Sequence, residues 1–277
     1  MIGIRLNFKP SFMKYIFFKI YKFILNQKYL IGGDKKKMIE YLNNFENSLI
    51  DPRKYYLECY KYFNKFSNDK IKAHRLYFSQ NKRGFGEDAF HVMWELLYNK
   101  FKFNNFVEIG VYRGQTISLI SLLGSINNKK IEIYGLSPFN DTGDNVSNYI
   151  TIDFEKDTFT NFEYFDLDKP QLIKHYSTDK EAHDFMKNNL WDCVYIDGSH
   201  DYDIVKQDWG IASKSIRIGG IIVFDDSSLY LNYSNPFMSL KGHEGPSKFV
   251  EDLKSSGLKD FKEILIVGHN RVFQRIN

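Results

Sequence analysis

The chain has 277 residues, 43% of them hydrophobic and 26% charged, which suits a globular protein with one sizeable core and room for an appendage. Its two cysteines, Cys59 and Cys193, form no C-x-x-C pair, which excludes a disulfide framework and points to a reducing cytoplasm. The net charge of +4 is uneven: residues 1–37 carry nine Lys/Arg against one acid, leaving a slightly acidic body that excludes a global nucleic-acid footprint.

In chain order, the first predicted element is a helix over residues 12–26. Within "FMKYIFFKIYKFIL" the longest uncharged run is residues 15–18, too short for a signal peptide or a membrane span. Phe12, Ile16, Ile20, Phe23 and Ile24 recur at helical spacing beside lysines. Such an amphipathic helix is expected to pack on the body or on another copy in a homo-oligomer, with peripheral membrane contact as the second use. Further helices are predicted over 35–50 and over 52–66, where Pro52 suits a first turn. Residues 1–85 therefore read as a helical N-terminal region and 86–277 as a second unit.

After "KRGFG" the texture changes to short β-branched runs alternating with helical patterns. Strands are expected at 106–110, 131–136, 172–175, 193–197, 221–225, 263–267 and 271–276. Long connections between most of them imply crossover units and a parallel sheet. Only three residues separate the last two, which must form an antiparallel hairpin. The expected fold is thus α/β and Rossmann-like, with a seven-stranded, mostly parallel sheet ending in a hairpin. The helix after 197 is the clearest, because Tyr202, Val205, Trp209, Ala212 and Ile216 lie on one face.

The first strand runs into "VEIGVYRGQT", whose glycines at 110 and 114 permit a sharp turn before a helix. The spacing is not the G-x-G-x-x-G of a dinucleotide loop, which disfavours an NAD-dependent reductase. A carboxylate two residues before Gly110 suits a ligand bearing an ammonium group. Further on, Asp197 ends one strand and Asp225-Asp226 end the next. Neighbouring strands about 4.8 Å apart would gather these carboxylates at the sheet edge where α/β proteins bind ligands. Hard oxygen donors favour Mg²⁺, with Mn²⁺ as a substitute.

The segments "FVEIGVYRGQT", "IYGLSPF", "WDCVYIDGSHDYDIVKQDW" and "IRIGGIIVFDD" occur in the order and spacing of class I S-adenosylmethionine (SAM)-dependent methyltransferases. More narrowly, they resemble the metal-dependent O-methyltransferases that act on sugars in antibiotic and surface-glycan pathways. The resemblance covers about residues 84–277, and the helical N-terminal region lies outside it. It implies SAM as cofactor, seated by Glu108, Gly110, Tyr112, Gly114, Thr116, Ser137, Ser177 and Asp197. Ser137 stands where the family usually has an acid for the ribose, with Asp141 or Asp144 as possible substitutes. Thr178 and Glu181 also read as a capping box. The metal ligands would be Asp197, Asp225 and Asp226.

Removing the proton of a sugar hydroxyl needs a base of near-neutral pKa. His200, three residues beyond Asp197, is the expected catalytic base, with His243 second and His269 read as a turn residue. Asp201 and Asp203 are expected to serve the following helix, Asp192 to be solvated, and Asp208 to have no firm role. In the loop after Asp226, Tyr230, Tyr233 and Phe237 are candidates to stack on a sugar. The sequence therefore reads as a cytoplasmic Mg²⁺-assisted O-methyltransferase acting on a sugar or nucleotide-sugar, with membrane-peripheral placement as the alternative. The alternatives are another small-molecule or phosphate-bearing acceptor, or a SAM-binding module without turnover.

Overall fold

The computed structural model describes residues 32–80, 83–140, 152–235, 237–238 and 240–277. The predicted helix at 12–26 and the acids Asp141 and Asp144 lie outside these residues. Four helices open the described chain: α1 (Lys35–Asn43), α2 (Glu46–Ile50), α3 (Pro52–Phe66) and α4 (Asp69–Ser79). The single helix expected over 35–50 is broken, because Asn44 leaves the helical region and its side chain accepts from the Glu46 N–H at 3.3 Å. Asparagine favours such caps over helix interiors. Helix α3 has its expected bounds, with the Asp51 side chain capping Lys54 N–H and Pro52 in the first turn.

There follow α5 (Asp88–Phe101), β1 (Asn105–Ile109), α6 (Gln115–Ile126), β2 (Glu132–Leu136), α7 (Phe154–Tyr164), β3 (Gln171–Ile173), α8 (Lys180–Lys187), β4 (Trp191–Ile196), α9 (Tyr202–Ser215), β5 (Ile216–Phe224), α10 (Glu244–Ser255), β6 (Phe261–Val267) and β7 (Asn270–Arg275). The seven strands form one sheet in the order β3-β2-β1-β4-β5-β7-β6. Pairing is parallel from β3 to β5, and β7 runs antiparallel to both β5 and β6. The expected seven-stranded sheet and terminal hairpin are both present.

Alternation along each strand divides the core. Phe106, Cys193, Tyr195, Ile221 and Val223 face a layer built from α1, α3, α5 and α6. Val107, Val194, Ile196, Ile222 and Phe224 face α8, α9 and α10. The first layer joins the opening helices to the sheet in one buried cluster, which includes Leu42, Tyr55, Tyr56 and Cys59. Polar ties cross the same junction: Ile266 N–H donates to Ser48 Oγ at 3.0 Å, and Tyr56 OH donates to Glu87 at 2.6 Å.

Two expectations about local structure are corrected. Asp192 is not solvated but buried inside β4, accepting from Asn104 N–H at 2.5 Å and pairing with Arg217. Thr178 does not cap α8; that position falls to Asp179, whose carboxylate accepts from Tyr176 N–H at 2.9 Å. No helix among the described residues is long and apolar enough to cross a membrane.

Candidate active site

The site begins where the strands end. The hydrogen-bond ladder continues one residue past each strand: Gly110 N–H to Leu136 O (2.9 Å), Asp197 N–H to Ile109 O (2.8 Å) and Asp225 N–H to Ile196 O (3.0 Å). Gly110, Asp197 and Asp225 therefore stand side by side at the C-terminal edge of the sheet. Here the chain order reverses between β1 and β4, the usual ligand-binding position of such sheets. Gly110 has φ 99°, and a Cβ there would lie 2.2 Å from the Asp197 carbonyl oxygen. Only glycine fits this crossing.

Above this row opens a cavity of about 780 Å³. At one end it is lined by Glu108, Gly110, Tyr112, Thr116, Ser137 and Ser177, and at the other by Asp197, His200, Asp225 and Asp226. Of the expected cofactor residues only Gly114 is absent from the lining. It is the left-handed N-cap of α6 (φ 76°), where a Cβ would approach Thr158 of α7 to 2.7 Å, and it shapes the turn that carries Tyr112 into the cavity. Ser137 is buried, and its hydroxyl donates to Val111 O at 3.2 Å.

Glu108 is fully buried, and burial pushes its carboxyl up to about 8 despite hydrogen bonds from Thr116 and Ile117 N–H. Its Oε2 has no hydrogen-bond partner. Behind Ser177, Asp208 on α9 is also buried, and burial raises its carboxyl to about 7 although the Ser177 hydroxyl offsets part of the shift.

At the chemical end, Asp197 is raised well above the usual carboxylate range, first by burial and then by the charges of Asp225 and Glu108. Burial also raises Asp225, against the opposing charge of His269. Asp226 behaves differently. Burial pushes it up, but hydrogen bonds from His200 and His269 override this and hold it well below the usual range. His200 Nε2 lies 3.1 Å from Asp226 Oδ2, His243 Nε2 3.5 Å from the same oxygen, and His269 Nδ1 2.8 Å from Oδ1. Among the described residues, the candidate metal-ligating groups are His200–Asp226–His243 and Asp225–Asp226–His269. The expected trio Asp197, Asp225 and Asp226 is not brought together as one set, because Asp226 is turned to the histidines while Asp197 faces Asp225.

From sequence, His269 reads only as a turn residue. The register explains what it missed. With Phe224 opposite Arg271, the β6–β7 turn lies against the end of β5. His269 is fixed there by a ring stack on Phe90 (centroids 4.5 Å apart) and by Ser227 N–H on its carbonyl at 2.8 Å. Burial lowers His269, but Asp225 and then Asp226 raise it to about 9. The "RGFG" loop carries no motif that marks a site, yet Gly84, Phe85 and Gly86 line the cavity, and Gly86 N–H donates to Gln115 at 3.2 Å. Asp201 caps α9 through Asp203 N–H and Ile204 N–H, as expected.

The aromatic residues expected to stack on an acceptor do not line the cavity. Tyr233 is buried with its hydroxyl on Gly268 O, Phe237 stacks on Tyr60 at 4.1 Å, and Tyr230 is exposed outside the lining. That loop contributes Leu240 and His243 instead.

With this geometry in view, residues 107–227 match the family model of a methyltransferase domain. The chain belongs to the methyltransferase-domain family. It is 32% identical over 181 residues to the uncharacterized protein R132 of Acanthamoeba polyphaga mimivirus, covering 62% of this chain and 72% of that protein. The fold is shared with an O-methyltransferase from Bacillus cereus in complex with SAH (TM-score 0.52, 12% identity, 78% of this chain and 95% of that one). It is shared too with SAH-bound methyltransferase PaMTH1 from Podospora anserina (TM-score 0.54, 15% identity, 78% and 93%).

A SAM-dependent methyltransferase needs a seat for the methionine end of its donor, and the residues present fit one. The unpartnered Glu108 Oε2 suits an ammonium group, and the side-chain-free Gly110 leaves room beside it.

Proposed function

We propose that this methyltransferase is an O-methyltransferase acting on a hydroxyl of a sugar, free or nucleotide-linked, with Mg²⁺ assistance. The observation that carries the reading is the row Gly110–Asp197–Asp225, which sets the donor's seat directly beside the acidic end of the cavity. Burial raises both Asp197 and Asp225, and the Asp225 charge raises Asp197 further; a divalent cation between them would offset that penalty. They would hold Mg²⁺, which supplies Lewis-acid polarisation of an alcohol.

His200 is the base. Asp226 accepts from its Nε2, fixing the ring and stabilising the imidazolium that forms when the acceptor's proton arrives. The transfer itself is an in-line displacement, so alignment of the acceptor oxygen with the sulfonium methyl supplies much of the acceleration. Ser199, Asp201 and His243 at the cavity's chemical end offer hydrogen bonds to a polyhydroxylated acceptor.

Thermal-shift profiling with SAH, SAM and NAD tests the first step: both adenosyl ligands are expected to raise the melting temperature and NAD to leave it unchanged. In methyl-transfer assays over a panel of sugars, nucleotide-sugars and phenols, EDTA should abolish turnover. His200→Ala should lower turnover by roughly 10²–10⁴-fold while SAH still binds. Wild-type turnover in that variant would remove His200 from the base role, and turnover confined to phenols would remove the sugar.

A further inference from the structure

The grouping of His200 and His243 around one carboxylate oxygen goes beyond what proton abstraction requires. A base needs one orienting acid, and Asp226 already provides it. His243 adds a second imidazole whose ring lies nearly parallel to that of His200, with centroids 3.7 Å apart at 13°. Both rings direct Nε2 to Asp226 Oδ2, at 3.1 and 3.5 Å. One donor atom from each of the three residues lies within 4.8 Å of the others.

We propose that His200, Asp226 and His243 form a Zn²⁺ site, separate from the Asp197–Asp225 pair, and that its occupancy switches the methyltransferase off by taking the base. The inhibitory half rests on His200 being that base; the binding half does not.

The donor set decides the ion. Two imidazoles and one carboxylate are the three protein ligands of many open zinc sites, whereas Mg²⁺ prefers an all-oxygen shell. The distances agree. For metal–ligand bonds of about 2.0–2.1 Å, the edge of a tetrahedron is about 3.3 Å, and the two Nε2–Oδ2 separations bracket that value. A zinc ion would require the two stacked rings to swing out of parallel so that both Nε2 lone pairs converge on it, and it would displace any proton those nitrogens carry.

The supporting frame is already fixed. His243 N–H donates to Asp226 O at 2.8 Å, and Ser247 Oγ donates to the same carbonyl at 3.0 Å. Gly242 packs on Asp226 O, where a Cβ would approach to 2.3 Å, and Gly245 packs on His200 O, where a Cβ would approach to 2.1 Å. Three chain segments are thus locked backbone to backbone around the donors, and Asp226 holds φ 48° to present its side chain there. The histidine side chains remain 27% and 39% exposed, so an ion can enter from solvent without opening the fold.

The test uses untagged full-length protein freed of metal with EDTA, then dialysed into excess Mg²⁺. Titration calorimetry with Zn²⁺ should give one equivalent bound, and Co²⁺ as a probe should give the intense visible bands of a tetrahedral site. His243→Ala and His243→Gln should each weaken Zn²⁺ binding by roughly tenfold or more and remove the Co²⁺ bands, with SAH affinity and melting temperature reporting that the fold persists. Zn²⁺ should inhibit wild-type methyl transfer at the concentration that fills the site. Unaltered Zn²⁺ affinity in the His243 variants, or no stoichiometric binding in the wild type, overturns the site. Tight Zn²⁺ binding without inhibition overturns the switch. Failure of SAH to bind would instead count against the methyltransferase reading, leaving the Co²⁺ spectrum to judge the site alone.

Discussion

Glu108 shows what a single buried carboxyl can report. Burial raises it to about 8, so at pH 7 the ligand-free protein holds it largely protonated, while an unfolded glutamate ionises near about 4.3. Its folded pKa is the higher one. The stability it contributes is therefore full below the unfolded value and is lost as pH rises through about 8. An ammonium group placed against Oε2 favours the ionised form. Binding of SAH between pH 6 and 8 should consequently release a proton, seen as a dependence of the calorimetric enthalpy on the ionisation enthalpy of the buffer. Glu108→Gln should remove that dependence and weaken SAH roughly tenfold or more. A buffer-independent enthalpy in the wild type would show that Glu108 does not meet the ligand's cation.

At this scale the sequence was legible where chemistry and spacing coincide and illegible where a distant pairing decides. Glu108, Gly110, Asp197 and His200 could be placed because a strand, a glycine and a helix follow in short order. Asp192 could not, because it lies inside β4 rather than before it, and its partner Arg217 enters from β5. Gly114, expected beside the cofactor, has a left-handed conformation at the N-terminus of α6 that its local sequence does not announce.

At the scale of elements, α9 ties the turn that carries His200 to the sheet. Its N-cap, Asp201, accepts from two backbone N–H groups at 2.9 and 3.2 Å and directly follows His200. Asp201→Ala should cost about 1 kcal/mol, read as a lower urea midpoint at unchanged slope. An unchanged midpoint would mean that water replaces the cap without loss. The hairpin of β6 and β7 was readable from its short turn, but the position of that turn was not. Only the insertion of β7 between β5 and β6 carries His269 to Asp225 and Asp226. The aromatic loop after Asp226 misled for a related reason: its rings are recruited by the opening helices, as Phe237 is by Tyr60.

Across the whole molecule, those opening helices and the sheet share one buried layer, so the division drawn at residue 85 need not be a division in stability. Leu42, fully buried on α1, tests this. Leu42→Ala should cost about 2–5 kcal/mol and lower a single melting transition that follows both near- and far-ultraviolet circular dichroism. A separate early transition would show instead that the helices melt as their own unit.

The contact of Gly110 with the Asp197 carbonyl bears on how such a protein can diversify. The Glu108 and Asp197 ends of the cavity share one backbone crossing that tolerates no side chain, so a substitution there would disturb both ends at once. Leu240 and His243 reach the cavity from a loop whose other aromatics are engaged elsewhere, so substitutions there would reshape the cavity without touching that crossing.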